Sequence, residues 1–440
     1  MKRKSESVGA ASGTKVDRQR RKVVKLIAAS GVSAIASPWM FQTGHAQGRA
    51  IKIGFVSPQT GPIAAFGEAD DFIVRGVRNA LKDGLVINGV KHPVTIIVKD
   101  SQSNPSRAAE VTAALIDQDK CDIITGSSTS DTTIPVADQC EVAGVPCVTT
   151  DTPWEPWFFG RRGDPAKGFE WTYHFFWGAG DLFRVFLDLW GSVQTNKIVG
   201  ALWGNDPDGT AFADKERGFP PAIRKDGFNL VDAGMFPTMS DDFSRQIAMF
   251  KAQNVEIVTG MFVPPAFATF WAQCAQQGFR PKVVTIAKAL LFPPAVEALG
   301  ARGAGVSTEV WWSPSHPYKS GLTGETSAVL AAAYTKATNR PWTQPIGFKH
   351  AGFEVLCDVL RRTKNVSDPK SIRDAIRATN YQSIVGPVQW TGKPMPNVSA
   401  TPLVGGQWKA AGGNKFNLVV VNSKQAPQIP VGGAFDLIKG

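Results

Sequence analysis

Few residues of this sequence are spaced for catalysis or for metal binding. The four histidines after residue 46 (His92, His174, His316 and His350) do not form an HExxH pattern, in which two imidazoles would hold zinc. No GxSxG nucleophile elbow, GxxxxGK[ST] phosphate loop or GxGxxG dinucleotide turn follows a strand-like segment. Residues 300–305 hold three glycines, but their spacing is wrong and no predicted strand precedes them. The sequence therefore predicts a binding protein rather than an enzyme, with neither a cofactor nor a metal.

The five cysteines show no metal-binding or redox pattern, because no CxxC pair occurs. Cys121, Cys140 and Cys147 lie close in sequence, and two of them could form one disulfide in an oxidising compartment. We expect Cys274 and Cys357 to pack as small buried hydrophobic residues. The odd count leaves at least one thiol free.

Residues 1–46 have the order of an export signal. A basic segment contains the pair Arg20-Arg21, a weakly apolar run follows over 26–41, and Gly44-His45-Ala46 closes the segment. This order predicts a secretory signal, and the paired arginines resemble the Tat type. We expect cleavage after Ala46, which places a mature protein beginning near Gln47 in the periplasm. The alternative is an uncleaved anchor, but polar residues interrupt the apolar run and disfavour a spanning helix.

The charge balance argues against a nucleic-acid partner. The formal net charge of the chain is +11. Nine Lys or Arg and two acidic residues within the first 46 residues account for +7, which leaves +4 on the remaining 394. Nucleic-acid binding needs a concentrated basic patch. A mature chain of this length favours two domains.

Short β-branched runs alternate with amphipathic segments, which predicts parallel α/β layers. A first series has strands at 51–56, 94–98, 122–125 and 146–149, and a second has strands at 198–203, 230–235, 257–261 and 283–286. A long aromatic connection over 153–177 joins the two series. The order predicts one lobe from 50–175 plus 315–380, and a second lobe from 176–314 plus 381–440.

Five segments in order carry a resemblance to a known family, and they are residues 53–67 (IGFVSPQTGPIAAFG), 99–105, 143–148, 241–244 and 385–390. They resemble the periplasmic binding proteins of the leucine/isoleucine/valine-binding type, which are type I receptors of ABC importers. The resemblance spans about residues 50–410. It implies an α/β fold of two Rossmann-like lobes joined by a three-stranded hinge, with a small-molecule ligand enclosed between them. It also implies a non-enzymatic monomer whose partner is an ABC permease in the inner membrane.

The resemblance assigns ligand-contacting positions to both lobes. On the first lobe they are Phe66, Ser128, Thr129, Ser130, Thr150, Asp151 and Thr152. On the second lobe they are Trp177, Asp208, Phe262 and Lys288. The hydroxyls near residue 129 precede a helix, whose N-terminus can hold a carboxylate. Two alternatives stay open, because Ser and Thr also serve as plain helix caps and the three aromatic residues could simply fill the core.

Two positions depart from the family pattern and bear on the ligand. Lys288 stands where amino-acid binders place an acidic residue, and Asp208 stands where they often have tyrosine. A lysine suits a carboxylate or another electron-rich group on the ligand, and Lys282 is a substitute if the alignment slips. Asp151 or Asp208 could instead take over the role of binding an ammonium, which would restore branched-chain amino-acid binding.

Aromatic residues are abundant, with 13 Trp in the chain. Trp154 and Trp157 follow the predicted ligand rim, and Trp311-Trp312 lie near a presumed hinge crossing. Flat aromatic side chains stack on rings, so we predict a small aromatic or branched apolar carboxylate, or an amino-acid-like ligand. The alternative functions are a sensory receptor of the same fold and, with less support, an exported enzyme.

Overall fold

The computed structural model describes residues 48–413 and 415–439. The predicted signal segment lies outside the described residues. The first series of elements is β1 (Ile51–Ser57), α1 (Asp70–Ala80), β2 (Leu85–Ile87), β3 (Val90–His92), β4 (Val94–Asp100), α2 (Pro105–Asp117), β5 (Ile123–Ser127), α3 (Ser130–Ala143), β6 (Cys147–Thr150), α4 (Trp154–Gly160) and β7 (Thr172–Phe175).

The second series is α5 (Ala179–Gly191), β8 (Ile198–Gly204), α6 (Pro207–Ala213), α7 (Phe219–Lys225), β9 (Asn229–Phe236), α8 (Ser244–Ala252), β10 (Ile257–Met261), α9 (Pro264–Gln276), β11 (Val283–Ala287), α10 (Pro293–Glu297) and β12 (Ser307–Val310). The last elements are α11 (Ser327–Thr338), α12 (Pro345–Arg362), α13 (Pro369–Arg377), β13 (Asn380–Ser383), β14 (Gly386–Gln389), β15 (Val398–Ser399), β16 (Val404–Ala410) and β17 (Phe416–Asn422). Short 3-10 turns occur at Ala64–Gly67, Ala289–Leu291 and Gly300–Gly303.

Two large sheets organise the described part of the chain. The first has the strand order β15-β7-β6-β5-β1-β4, and its neighbouring strands are parallel. The second has the order β17-β16-β12-β11-β10-β8-β9. Its β12–β16 and β16–β17 pairs are antiparallel, and its other pairs are parallel. Every residue of β5, β10 and β11 is buried, as expected for parallel strands covered by helices on both faces. The predicted α/β fold class is therefore confirmed.

Local sequence signals explain where the helices begin and end. Asn104 caps α2, since its side chain accepts a hydrogen bond from the Arg107 N–H, and Pro105 follows at the first helical position. Gly144 ends α3 in the left-handed conformation, with φ of 69°, which glycine adopts without a steric penalty. Within each lobe the helices therefore return the chain to the next parallel strand, and this brings the carboxyl ends of the strands to one edge.

In the described part, the chain crosses between the sheets after β7, after β12 and after β15. The last crossing falls after the predicted boundary at residue 380, because β13 and β14 form a two-stranded sheet of their own and β15 still belongs to the first large sheet. Glu354 of α12 accepts hydrogen bonds from the backbone N–H groups of Gly321 and Ile384, which ties the β13–β14 hairpin to that lobe. Strand β15 then pairs with β7. A strand of two residues leaves no hydrophobic period in the sequence, so its pairing could not be predicted.

The predicted aromatic connection over 153–177 contains the regular elements α4 and β7. Trp157 of α4 stacks on the His174 ring with centroids 4.8 Å apart. His174 is bonded on both nitrogens, to the Thr149 hydroxyl and the Thr152 carbonyl, and burial lowers the pKa of this imidazole to about 3. Parts of α4 and all of β7 are therefore packed core, whereas residues 159–171 between them are exposed or half-buried. All five cysteines lie in the described part and are buried free thiols.

Candidate functional site

A small cavity lies where the carboxyl ends of the strands of both sheets face each other. Six of the predicted site residues line it, namely Phe66, Thr129, Asp151, Trp177, Asp208 and Lys288. The remaining wall comes from Pro153, Phe176, Met261, Leu291, Glu309 and Trp311. Ligands of open parallel sheets bind at this edge. The structure therefore collects residues separated by more than 200 positions into one candidate site.

The other five predicted residues lie beside the cavity and do not line it. The Ser130 hydroxyl contacts both Thr152 and Asp208, and the Thr150 hydroxyl donates to the Phe175 carbonyl at 2.8 Å. Phe262 packs against Phe236, with ring centroids 4.6 Å apart. Ser128 is buried. These residues support the walls of the cavity.

Lys288 is part of a buried ion cluster on the second lobe. Its Nζ lies 2.8 Å from Asp206 Oδ2 and 3.0 Å from Asp208 Oδ2, and each of the three side chains is at most 6% exposed. Burial opposes the charged ammonium, but Asp206, Asp208 and Asp131 outweigh that effect and raise the pKa of Lys288. The positive charge that the sequence offered to a ligand is therefore already balanced by carboxylates. An ammonium has three donors, so two acceptors leave one of them for a ligand.

The lobes also contact each other directly around the cavity. Ser130, at the N-terminus of α3 on the first lobe, donates a hydrogen bond to Asp208 on the second. The Phe66 ring meets the Phe292 ring edge to face, with centroids 4.9 Å apart. Glu155 of α4 accepts a hydrogen bond from the Ala179 N–H at the start of α5. The structure is therefore a closed form, in which the site is shielded from solvent.

Four polar atoms on residues that line the cavity are buried and have no hydrogen-bond partner among the described residues. They are Thr129 Oγ1, Asp151 Oδ1, Trp177 Nε1 and Trp311 Nε1. Buried polar groups in folded proteins are normally bonded, and leaving one unsatisfied costs about 1–3 kcal/mol. Two of these atoms are donors, one is an acceptor and the hydroxyl can be either. The set is suited to a ligand that brings both acceptors and a donor.

Carboxyl groups dominate the electrostatics of the cavity. Burial raises the pKa of Asp151 to about 7, although the Lys349 ammonium acts in the opposite direction. Burial likewise raises the pKa of Glu309 to about 7, against a hydrogen bond from Thr308. It raises the pKa of Asp131, beside Lys288, to about 6. Each raised pKa indicates a buried carboxyl group whose negative charge is only partly offset by nearby cations and hydrogen-bond donors.

The sequence did not single out Glu309, although its carboxyl lies in the site. Glu309 sits near the end of β12, and its Oε1 accepts the Lys288 backbone N–H at 3.1 Å. Lys288 itself has a positive φ of 69°, a strained conformation for a residue with a side chain. The usable signal was the run Val306-Ser307-Thr308-Glu309-Val310, a strand-like pattern that ends next to Trp311.

Two α/β lobes that close over a small polar and aromatic cavity define a solute-binding protein, because hinged lobes enclose ligands in this way. The sequence profile of the periplasmic binding protein family matches residues 50–413. The chain belongs to this family, in the leucine/isoleucine/valine-binding-like group of type I proteins, as its sequence predicted. It is a periplasmic binding protein of the ABC transporter type, a class of non-enzymatic substrate-binding proteins.

Curated relatives and solved structures agree with this assignment. Leu/Ile/Val-binding protein homolog 3 of Brucella melitensis is 23% identical over 335 residues, which are 74% of this chain and 83% of that protein. An amino acid binding protein of Pseudomonas aeruginosa is 31% identical over 121 residues, 27% of this chain and 31% of that protein.

Two solved structures show the same fold. The branched-chain amino acid transporter substrate binding protein of Streptococcus pneumoniae, in complex with isoleucine, has a TM-score of 0.67 and 16% identity, covering 84% of this chain and 99% of that one. A solute binding protein of an ABC transporter from R. palustris, in complex with 4-hydroxybenzoate, has a TM-score of 0.69 and 16% identity, covering 85% and 96%. At this identity the likeness concerns the fold.

Two features are absent from the described part of the chain. None of the helices in that part of the chain has the length and apolar character needed to cross a bilayer. No group of three or more His, Cys, Asp or Glu side chains within residues 48–413 and 415–439 is arranged to hold a metal ion.

Proposed function

We propose that this protein is the exported receptor of an ABC import system, and that it encloses a small amino-acid-like or apolar carboxylate and presents its closed form to a permease in the inner membrane. The observation that carries the proposal is the set of four unpartnered polar atoms in a cavity whose wall is aromatic and apolar apart from Asp208, Lys288 and Glu309. A ligand that satisfies them would gain hydrogen bonds in a site that excludes water.

The donors of the site suit the carboxylate end of such a ligand. The Thr129 hydroxyl lies at the N-cap position of α3, and its side chain makes no capping hydrogen bond. The positive end of a helix of 14 residues stabilises a nearby anion. The indole N–H groups of Trp177 and Trp311 add two further donors. We infer that the carboxylate binds beside Thr129 on the first lobe.

The acidic side chains suit a donor on the same ligand. Asp151 Oδ1 has no partner in the described part of the chain, while Asp206 and Asp208 balance the charge of Lys288. This distribution favours an ammonium beside Asp151, and hence an amino-acid-like ligand with a branched or aromatic side chain. The preference for a simple carboxylate, which the sequence suggested through Lys288, is correspondingly weaker.

A hydroxylated aromatic acid is the second candidate ligand. Its phenol would donate to Asp151 much as an ammonium would, and its ring would contact the aromatic walls formed by Phe66, Phe176 and Trp177. The solved relative that binds 4-hydroxybenzoate supports this alternative, just as the isoleucine complex supports the first. The two candidate ligands differ in net charge, so measuring the binding of each at several pH values would distinguish them.

Calorimetry with L-isoleucine, L-phenylalanine, 4-hydroxybenzoate and benzoate tests the proposal. We expect one of the first three to bind and benzoate, which lacks a donor for Asp151, to bind at least tenfold more weakly. Thr129→Val should weaken binding about fivefold to tenfold, the equivalent of one hydrogen bond. Thr133→Val is the matched control, because its hydroxyl is also buried and unpartnered on α3 but does not line the cavity. Failure of all four compounds, together with equal effects of the two variants on any retained small molecule, would refute the proposal.

A further inference from the structure

A second buried ion pair lies on the first lobe, outside the cavity. Lys349 lies near the start of α12. Its Nζ is 2.6 Å from Asp70 Oδ1 at the start of α1 and 2.6 Å from the Ser57 hydroxyl at the end of β1. The Lys349 side chain is 0% exposed and that of Asp70 is 2% exposed. Removing two charges from water is costly, and apolar residues of similar volume often replace such a pair without loss of stability. The pair therefore calls for an explanation other than stability.

The pair belongs to a row of polar groups that ends at the candidate site. Strands β1, β5 and β6 are neighbours in the first sheet, so Ser57, Ser127 and Thr150 end side by side at its carboxyl edge. The Ser127 hydroxyl donates to Asp151 Oδ2. The other oxygen, Oδ1, is the unpartnered acceptor of the residue that lines the cavity. One side of the Asp151 carboxylate is thus anchored in the row and the other side is left for the ligand.

Asp151 occupies a conformation that its surroundings must hold. Its φ is 68°, in the left-handed region, which residues with a side chain adopt only at a steric cost. Burial raises the pKa of its carboxyl, the Lys349 ammonium lowers it, and the Asp70 carboxylate raises it further. Without Lys349, a larger fraction of this buried acid would hold its proton at neutral pH.

We propose that Lys349 and Asp70 are a positioning pair that sets the charge state of the Asp151 carboxylate, with Lys349 favouring the charged form and Asp70 opposing it. Neither residue lines the cavity, so both act through Asp151. The proposal rests on the proposed function only in its assumption that Asp151 contacts the ligand. It extends that function, because it assigns the preference of the site for a ligand with a hydrogen-bond donor to the charges of Lys349 and Asp70, which lie behind the cavity wall.

The other groups that face Asp151 are few. From β5 and β6 they are the hydroxyls of Ser127 and Thr150. Across the cavity the second lobe contributes the charged groups Asp208, Lys288 and Glu309, of which Lys288 is paired with Asp206 and Asp208. Lys349 is therefore the cation on the first lobe whose removal should change the charge state of Asp151.

The test is a titration of the Asp151 carboxyl in the ligand-free protein. Carbon-13 signals of labelled aspartate, assigned with Asp151→Asn, would be followed in the parent and in the variants Lys349→Met, Asp70→Asn and the double variant. We expect the Asp151 midpoint to rise by about one pH unit or more in Lys349→Met, because a nearby cation is lost. It should fall in Asp70→Asn, because a nearby anion is lost, and return towards the parent value in the double variant.

Opposite shifts distinguish a charge balance from a structural role, since both single variants disrupt the same buried pair. Shifts in the same direction, or an unchanged midpoint, would overturn the proposal. If Lys349→Met does not fold, as judged by circular dichroism, then Asp70→Asn decides alone, and an unchanged midpoint there overturns the proposal. Lys349→Arg keeps the charge and should retain a midpoint near that of the parent.

The result separates this proposal from the proposed function, because the titration needs no ligand. If the midpoints shift as expected while Asp151→Asn leaves L-isoleucine and 4-hydroxybenzoate binding unchanged, the positioning pair stands and the assigned role of Asp151 in binding is wrong. If Asp151→Asn abolishes binding and the midpoints do not shift, the function stands and the positioning pair is refuted.

Discussion

Lys282 and Lys288 flank the same strand, β11, and each forms an ion pair, but only one pair is buried. Lys282 Nζ lies 2.6 Å from Glu256 Oε1, and 48% of the lysine side chain is exposed. Lys288 Nζ lies 2.8 and 3.0 Å from the carboxylates of Asp206 and Asp208, and 6% of its side chain is exposed. Substituting each lysine by methionine therefore compares the same chemical change in two dielectric environments.

Lys288→Met should destabilise the protein by about 3–5 kcal/mol, because it leaves two buried carboxylates without their cation. Lys282→Met should cost about 0–1 kcal/mol, because water screens the exposed pair. For a chain of this length, 1 kcal/mol corresponds to roughly 1–2 °C in Tm. The expected decrease is therefore roughly 3–10 °C for Lys288→Met, and at most about 2 °C for the control.

Urea unfolding followed by tryptophan fluorescence, together with calorimetry, would measure both variants without ligand. Lys288→Met should cost several kcal/mol more than Lys282→Met in both measurements, because only the Lys288 pair is buried. Equal costs for the two variants would show that the cluster is not a buried ion network.

Three further predictions follow from the closed site and from the N-terminal segment. Ser130→Ala removes a hydrogen bond between the lobes, so small-angle scattering of the unliganded variant should give a larger radius of gyration than the parent, and equal radii would argue against this contact as a closure element. Because burial raises the pKa of Asp151 and Glu309 to about 7, these groups favour the fold below their unfolded pKa values and lose that contribution as the pH rises through 7. The Asp151→Asn/Glu309→Gln double variant should therefore lose less stability than the parent between about pH 4 and 7, and parallel losses would contradict the assignment. Replacing Arg20 and Arg21 by lysine should stop export if the signal is of the Tat type, and normal accumulation in the periplasm would exclude that route.

Much of the fold could be predicted because its strands are apolar and its helices amphipathic. The predicted strands at 257–261 and 283–286 correspond to β10 and β11, whose residues are all buried. The elements that were missed lack such a period. Strand β7 lies within an aromatic segment that shows no alternation of apolar and polar residues. Strand β15 has only two residues and is stabilised by pairing with β7.

The candidate site was predictable in position but not in charge. Six predicted residues line the cavity because the residues that follow parallel strands must meet at one edge of the sheet. The environment of Lys288 could not be read from the sequence, because Asp206 and Asp208 lie 82 and 80 positions away. A lysine considered alone indicates an anionic ligand, whereas a lysine between two carboxylates is already compensated. Pairing between distant residues is the information that a single sequence does not carry.

If the proposed function holds, closure and ligand charge should be coupled through Asp208. This carboxylate accepts a hydrogen bond from Ser130 of the first lobe and pairs with Lys288 of the second, while it also lines the cavity. Opening the lobes would break the contact with Ser130 and let water reach Asp208, whereas closing them removes that water. A ligand with a cationic or donor group offsets part of this desolvation cost, because the cavity holds more acidic than basic side chains. The same ligand group that Asp151 would bind therefore also favours closure, and a ligand without one has to close the lobes against uncompensated negative charge.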